Sequence, residues 1–243
     1  MTQRRDKRRP SATSVGYLRL DTLGAVLDTL AWPSWGPDPP MLRGESPDGR
    51  SSTVMGLPFS GGSQTVLAPS GELIAGPGAE YVFYRLPRAG RPVRVEREHS
   101  PVPVSSTEAS ERKAQITQNM LRLNPSWSWT GPDIPAIKPA YRELLAGEDG
   151  RTWVRLWTAA EPIPPDELPP VVMTSGKPRV QITTREPNLY DVFSADGRLL
   201  GRVSPPPRTR LLRMDGDVVW GVTLDSLDVS YAVRYRITPG LPR

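Results

Sequence analysis

Tyr190-Asp191-Val192-Phe193-Ser194-Ala195-Asp196-Gly197-Arg198-Leu199-Leu200 is the stretch that decides how this chain folds. An alternating strand runs into Asp-Gly, and a second strand begins two residues after the glycine. Asp-Gly between alternating strands is the strongest short-range hairpin signal, because the turn needs a positive φ that glycine adopts without strain. Working outward, the same pattern stands at Tyr17-Leu18-Arg19-Leu20-Asp21-Thr22-Leu23-Gly24-Ala25-Val26-Leu27. It stands again at Tyr81-Val82-Phe83-Tyr84-Arg85-Leu86, with Gly90 in the turn and Val93 in the return strand.

A second glycine-centred pattern alternates with the first. It reads Val66-Leu67-Ala68-Pro69-Ser70-Gly71-Glu72-Leu73-Ile74-Ala75, then Leu144-Leu145-Ala146-Gly147-Glu148-Asp149-Gly150-Arg151-Thr152-Trp153-Val154. A third copy is Leu211-Leu212-Arg213-Met214-Asp215-Gly216-Asp217-Val218-Val219-Trp220-Gly221, followed by a strand from Tyr231 to Ile237. Each is an apolar strand, a glycine turn and a second apolar strand. Two hairpins in sequence make a four-stranded antiparallel sheet, and several such sheets in tandem are the layout of a propeller. The expected fold is therefore all-β: a partial β-propeller of four-stranded antiparallel blades, about three to four of them, over residues 14–243.

Two segments interrupt the hairpins. Residues 105–124 read as a helical insertion: Ser105 with Glu108 forms a capping box, and Ala109, Ile116, Met120 and Leu123 share one face that packs on a blade. Residues 158–188 contain Pro162, Pro164, Pro165, Pro169 and Pro170 and read as an extended excursion, ending in a strand with Val180, Ile182 and Thr184.

Composition narrows the chemistry. The 243 residues include 29 prolines and 21 glycines, a balance that favours many short elements separated by turns over long helices. A chain of this length buries a substantial core. With no cysteine, disulfides, thiolate catalysis and cysteine-bound metals are all ruled out. The single histidine, His99, rules out two-histidine zinc sites; in Arg97-Glu98-His99-Ser100-Pro101 it reads as a solvated loop residue with no nucleophile motif beside it.

Of the net charge of +5, most comes from Arg4, Arg5, Lys7, Arg8 and Arg9 against Asp6, a tail over residues 1–13 expected to be disordered. The remaining body is nearly neutral, so nucleic acid is not an expected partner. No run approaches the roughly 20 apolar residues that cross a bilayer. Pro10-Ser11-Ala12-Thr13-Ser14 follows the basic start where a signal peptide would place an apolar core, so no export signal is expected in this chain.

Several stretches resemble bacterial six-bladed β-propeller proteins, with a layout similar to NHL-type propellers. They are Lys138-Pro139-Ala140-Tyr141, Glu148-Asp149-Gly150-Arg151-Thr152-Trp153-Val154-Arg155, Tyr190-Asp191-Val192-Phe193 with Asp196-Gly197-Arg198-Leu199-Leu200-Gly201, and Val219-Trp220-Gly221-Val222 with Asp225, Leu227-Asp228-Val229, Tyr231 and Arg234-Tyr235-Arg236-Ile237. The resemblance covers roughly residues 15–238 and implies the C-terminal blades of a ring, an exported or periplasmic location, and exposed blade faces that favour self-association.

These motifs are structural and carry little chemistry. The Gly-x-x-x-x-Gly-Lys-Ser/Thr and Gly-x-Ser-x-Gly spacings are absent, and Gly61-Gly62 reads as an inter-strand loop. The leading expectation is a non-enzymatic binding or scaffold propeller without a cofactor, whose insertions recognise a protein, peptide or carbohydrate. Trp127 and Trp129 either form a stacking platform for such a ligand or anchor the insertion. Tyr141 and Trp153 complete the set of candidate binding residues, and no catalytic or metal-binding residue is assigned. The alternative is a metal-dependent propeller hydrolase of the lactonase or phosphoesterase type. It would draw on Glu72, Glu148, Asp149, Asn188 and Asp191, most of which read as solvated groups in or beside turns.

Overall fold

Every glycine turn read from the sequence is a hairpin turn in the computed structural model, which describes residues 16–242 apart from 32, 34, 36, 37, 175, 176 and 226–228. The basic tail lies outside the described residues. Strands β1 (Gly16–Leu20) and β2 (Val26–Ala31) flank Gly24. A further hairpin, not anticipated, joins β3 (Met41–Glu45) to β4 (Ser52–Gly56) around Gly49.

Next come β5 (Gln64–Leu67), β6 (Leu73–Gly76), β7 (Val82–Leu86) and β8 (Val93–Glu96), which form one four-stranded antiparallel sheet in chain order. The helical insertion follows: β9 (Val102–Pro103), α1 (Ser106–Leu123) and β10 (Ile137–Lys138), with β9 and β10 paired at its root. Strands β11 (Tyr141–Ala146) and β12 (Thr152–Leu156) open a second four-stranded sheet. The excursion contributes β13 (Glu161–Pro162), β14 (Met173–Thr174), β15 (Lys177–Pro178) and β16 (Thr184–Arg185), paired as β13 with β16 and β14 with β15. The second sheet is then completed by β17 (Tyr190–Phe193) and β18 (Leu199–Val203), in the order β11-β12-β17-β18. A three-stranded sheet of β19 (Thr209–Asp215), β20 (Val218–Leu224) and β21 (Ser230–Arg236) ends the chain.

The expected strand through Val180 and Ile182 does not form; only Thr184 and Arg185 of that stretch pair with another strand. The reason is competition for its backbone. Gln118 of α1 accepts from the Val180 N–H and Glu111 accepts from the Thr183 N–H, so helix side chains take donors that a sheet partner would otherwise use.

The sheets stack in series. Strand residues alternate between faces, so β12 sends Val154 one way and Trp153 the other. Val154, Leu144 and Phe193 meet Ile74, Phe83 and Val95 of the first sheet. Trp153, Tyr190 and Val192 meet Leu211, Met214 and Val219 of the third. The second sheet is thus buried on both faces, and β12 and β17 place apolar side chains on each of them. The far face of the first sheet is covered in part by Trp35, whose ring stacks on Tyr84 at 4.5 Å.

Polar groups cross the same boundaries. Arg85 forms a two-pronged pair with Glu72 and donates to the Gly150 and Ser194 carbonyls, so one guanidinium ties the first sheet to two turns of the second. One interface further on, Asp149 accepts from the Gly216 N–H at 3.1 Å and Arg151 donates to the Gly216 carbonyl at 3.2 Å.

Helix α1 begins with the expected capping box: Ser105 Oγ accepts from the Glu108 N–H and Glu108 accepts from the Ser105 N–H. Its apolar stripe lies on the β3–β4 hairpin rather than on a four-stranded sheet, with Ile116 and Met120 against Leu42. Gly44 of β3 lets Met120 approach closely, since a Cβ there would stand 2.8 Å from its sulfur. The opposite side of the helix holds the excursion through Glu111 and Gln118.

Candidate functional site

The most site-like constellation lies where both insertions leave the sheets. A cleft of about 420 Å³ is bounded by the segment after β8 (Arg97, His99, Ser100), the residue before β11 (Ala140), the end of β12 with its exit (Leu156, Trp157, Thr158), and the start of β17 (Leu189, Asp191). The insertions at 100–140 and 158–188 both spring from its rim.

Asp191 forms its floor. Its parity in β17 matches Phe193, so the carboxylate points at the first sheet with its side chain only 1% exposed. A buried carboxylate is costly unless fully hydrogen-bonded, and here it is. The Tyr81 hydroxyl donates to Oδ2 at 2.7 Å, Arg97 Nη1 donates to the same oxygen at 2.5 Å, and Arg202 Nε donates to Oδ1 at 2.8 Å. Burial and the adjacent carboxylate push the Tyr81 phenol well above its ordinary pKa, so it remains a donor. The hydrogen bond to Asp191 raises Arg202 further above its usual range. His99 packs edge-on to Tyr81, with ring centroids 6.2 Å apart. Burial, then the charge of Arg97, hold its imidazole below the ordinary 6.5, against the opposing pull of Asp191.

Behind the cleft sits a second charged group. Lys138, with a fully buried side chain, donates to Glu108 at 2.5 Å, Glu186 at 2.6 Å and the Thr158 carbonyl at 2.8 Å. Arg142 also pairs with Glu186 and lies 4.3 Å over the Trp157 ring. Burial lowers the Arg142 pKa, with the neighbouring Arg155 adding to that effect. This group pins the start of α1 and the end of the excursion to the wall of the cleft.

The residues anticipated as binding groups are not together. Trp127 and Trp129 pack edge-to-face, half-buried against Leu42, Ile116 and Met120. Trp127 Nε1 donates to the Arg43 carbonyl, Trp129 Nε1 to the Gly131 and Pro132 carbonyls, and Lys113 covers one face of Trp129 at 5.1 Å. They anchor the loop that follows α1. Tyr141 and Trp153 are interior, 1% and 0% exposed, on opposite faces of the second sheet, and the Tyr141 hydroxyl donates to the Val82 carbonyl.

The five side chains that a metal site would draw on are spread among separate bonds. Glu72 pairs with Arg85, Glu148 with Arg213, Asp149 with Arg151, Asn188 with Arg155, and Asp191 with Arg97 and Arg202. Asp191 is therefore a buried ion-pair member and Glu72 a partly buried one, where the sequence read solvated turn carboxylates. Among the described residues no group of three or more His, Asp or Glu is placed to hold a metal ion.

Tyr81, Arg97, Asp191 and Arg202 were not singled out as a unit from sequence, since Tyr81 and Asp191 are 110 residues apart and only the sheet stacking joins them. His99 was read as a solvated loop residue; the ring is instead half-buried on Tyr81. Among the described residues no helix is long and apolar enough to cross a membrane. No family model, curated protein or solved structure matches the chain.

Proposed function

We propose that this chain is a non-enzymatic binding or scaffold module, built as a segment of a β-propeller, that recognises its ligand at the cleft from which the two insertions spring. The propeller reading rests on the serial face-to-face stacking of antiparallel sheets, each laid down in chain order, which is the local arrangement of neighbouring blades. The single observation that carries the binding reading is the cleft itself: loops rooted on rigid sheets surround a floor already tied by Asp191. Such pre-tied sites lose little freedom when a ligand arrives. Tyr81 is locked as a donor, and no nucleophile motif accompanies it, so the residues support holding a ligand rather than transforming one. Exposed apolar residues on the first hairpin and the last sheet, including Leu18, Val26, Leu212 and Tyr231, support self-association through those ends.

A fragment screen by NMR tests the binding reading. Cationic, neutral and anionic fragments are titrated while the His99 imidazole and Trp157 indole signals are followed. At least one class is expected to shift both signals to saturation. Perturbations confined to other surfaces would refute the cleft as the binding site.

A further inference from the structure

The floor of the cleft carries more cation than its anion requires. Tyr81 and one guanidinium already give Asp191 two strong donors, yet Arg97 and Arg202 both converge on it. Among the described residues, Arg97 uses only Nη1 there, leaving Nε and Nη2, while Arg202 keeps Nη1. The Arg97 and Arg202 side chains are 35% and 50% exposed, and both line the cleft. Two guanidinium groups on one carboxylate leave one uncancelled positive charge, and Asp191 fixes both forks in place. The other charged liner is Glu98, which is exposed at the rim. Val102, Leu156, Trp157 and Leu189 contribute apolar surface to the same cleft, beside the polar Ser100 and Thr158. A volume of about 420 Å³ suits a small molecule.

We propose that the cleft takes a small organic acid with an apolar body, its carboxylate held by the remaining donors of Arg97 and Arg202 and its body lying along Leu156, Trp157 and Leu189. This rests on the binding-module reading and names its ligand class. At the floor one carboxylate balances the single guanidinium that Asp191 leaves uncancelled, where a dianionic phosphate would overcharge it and would also face Glu98 at the rim, and the guanidinium fork matches the two carboxylate oxygens. The apolar liners favour an acid with an apolar body over a small hydrophilic anion.

The test uses three probes on the full chain: 3-phenylpropanoate, 3-phenylpropan-1-ol and inorganic phosphate. His99 is the only histidine, so a single imidazole resonance reports on the cleft. The acid is expected to bind at least about tenfold more tightly than the alcohol, the worth of a charge-assisted hydrogen-bond pair. Inorganic phosphate is expected to displace the acid only at far higher concentration. The occupant's charge has its own signature. The groups facing His99 are Tyr81, Arg97, Glu98, Asp191 and Arg202; a bound anion offsets the arginines and raises the His99 pKa, whereas a neutral occupant lowers it by burial.

Arg202, half-exposed, is the safer position to vary. Arg202→Gln is expected to weaken the acid about tenfold and leave the alcohol unchanged, with Arg202→Lys between the two. Equal binding of acid and alcohol, equal competition by phosphate, or an unchanged affinity in Arg202→Gln would each overturn the proposal. If cationic or neutral fragments alone shift His99 in the wider screen, the organic-acid assignment fails while the binding module stands. If no fragment of any charge does, both fail.

Discussion

Asp191 shows how much a single residue can hide in a strand. Its sequence neighbours alternate as in a one-sided strand, which would put a polar residue on the solvent side. Because β17 is packed on both faces, the carboxylate instead meets Tyr81, Arg97 and Arg202. Nothing local marks that; its partners come from the far end of another sheet and from the next strand. His99 reports on the same environment. Its folded pKa lies below the ordinary 6.5, so the unfolded chain binds the proton more readily. The neutral ring's contribution is therefore fully present above about pH 6.5, shrinks as pH falls through that value, and levels off below the folded pKa. Urea unfolding at pH 7.5, 6.5 and 5.5 should show His99→Gln losing less stability than the parent across this window. Parallel losses in the two proteins would mean that the histidine is not held in its neutral form.

At the scale of elements, glycine turns were the most legible feature, and their surroundings the least. Gly24 and Gly197 have nearly the same φ, +84° and +87°, so an alanine pays a similar backbone cost at either. Their settings differ. A Cβ at Gly24 meets nothing within 4 Å, and the β1–β2 hairpin around it leaves Leu18, Leu20 and Leu27 exposed. A Cβ at Gly197 would stand 2.7 Å from Val95 Cγ2 across the interface between the first two sheets. Thermal unfolding should therefore show Gly197→Ala lowering the midpoint by roughly 4–8 °C, and Gly24→Ala by no more than about 2 °C because its hairpin opens locally. Equal shifts would contradict the packing described.

The helix was legible from its capping box, down to the Ser105–Glu108 exchange. The β3–β4 hairpin was missed although Asp48-Gly49 marks its turn, since Arg43, Gly44, Glu45, Ser52 and Thr53 dilute the apolar alternation on either side. The misplaced strand at Val180 and Ile182 has the opposite cause: its alternation is real, but side chains of α1 claim the backbone donors.

For the whole molecule, the order of hairpins along the chain was readable, because each turn is encoded within about ten residues. Which faces of the resulting sheets meet was not, since that depends on contacts between residues far apart in sequence. Serial stacking is the claim from which the cleft, the Asp191 anchor and the binding role all follow, and the absence of cysteine makes it directly testable. A Cβ built at Gly197 lies 4.0 Å from the Val95 Cβ, within the span that a disulfide bridges. Replacing Val95 also removes the methyl that crowds position 197. On mild oxidation of the folded Val95→Cys/Gly197→Cys variant, mass spectrometry and thiol titration should find an intramolecular disulfide in nearly all molecules. Persistent free thiols, or bridges formed only between molecules, would show that the second sheet does not lie on the first.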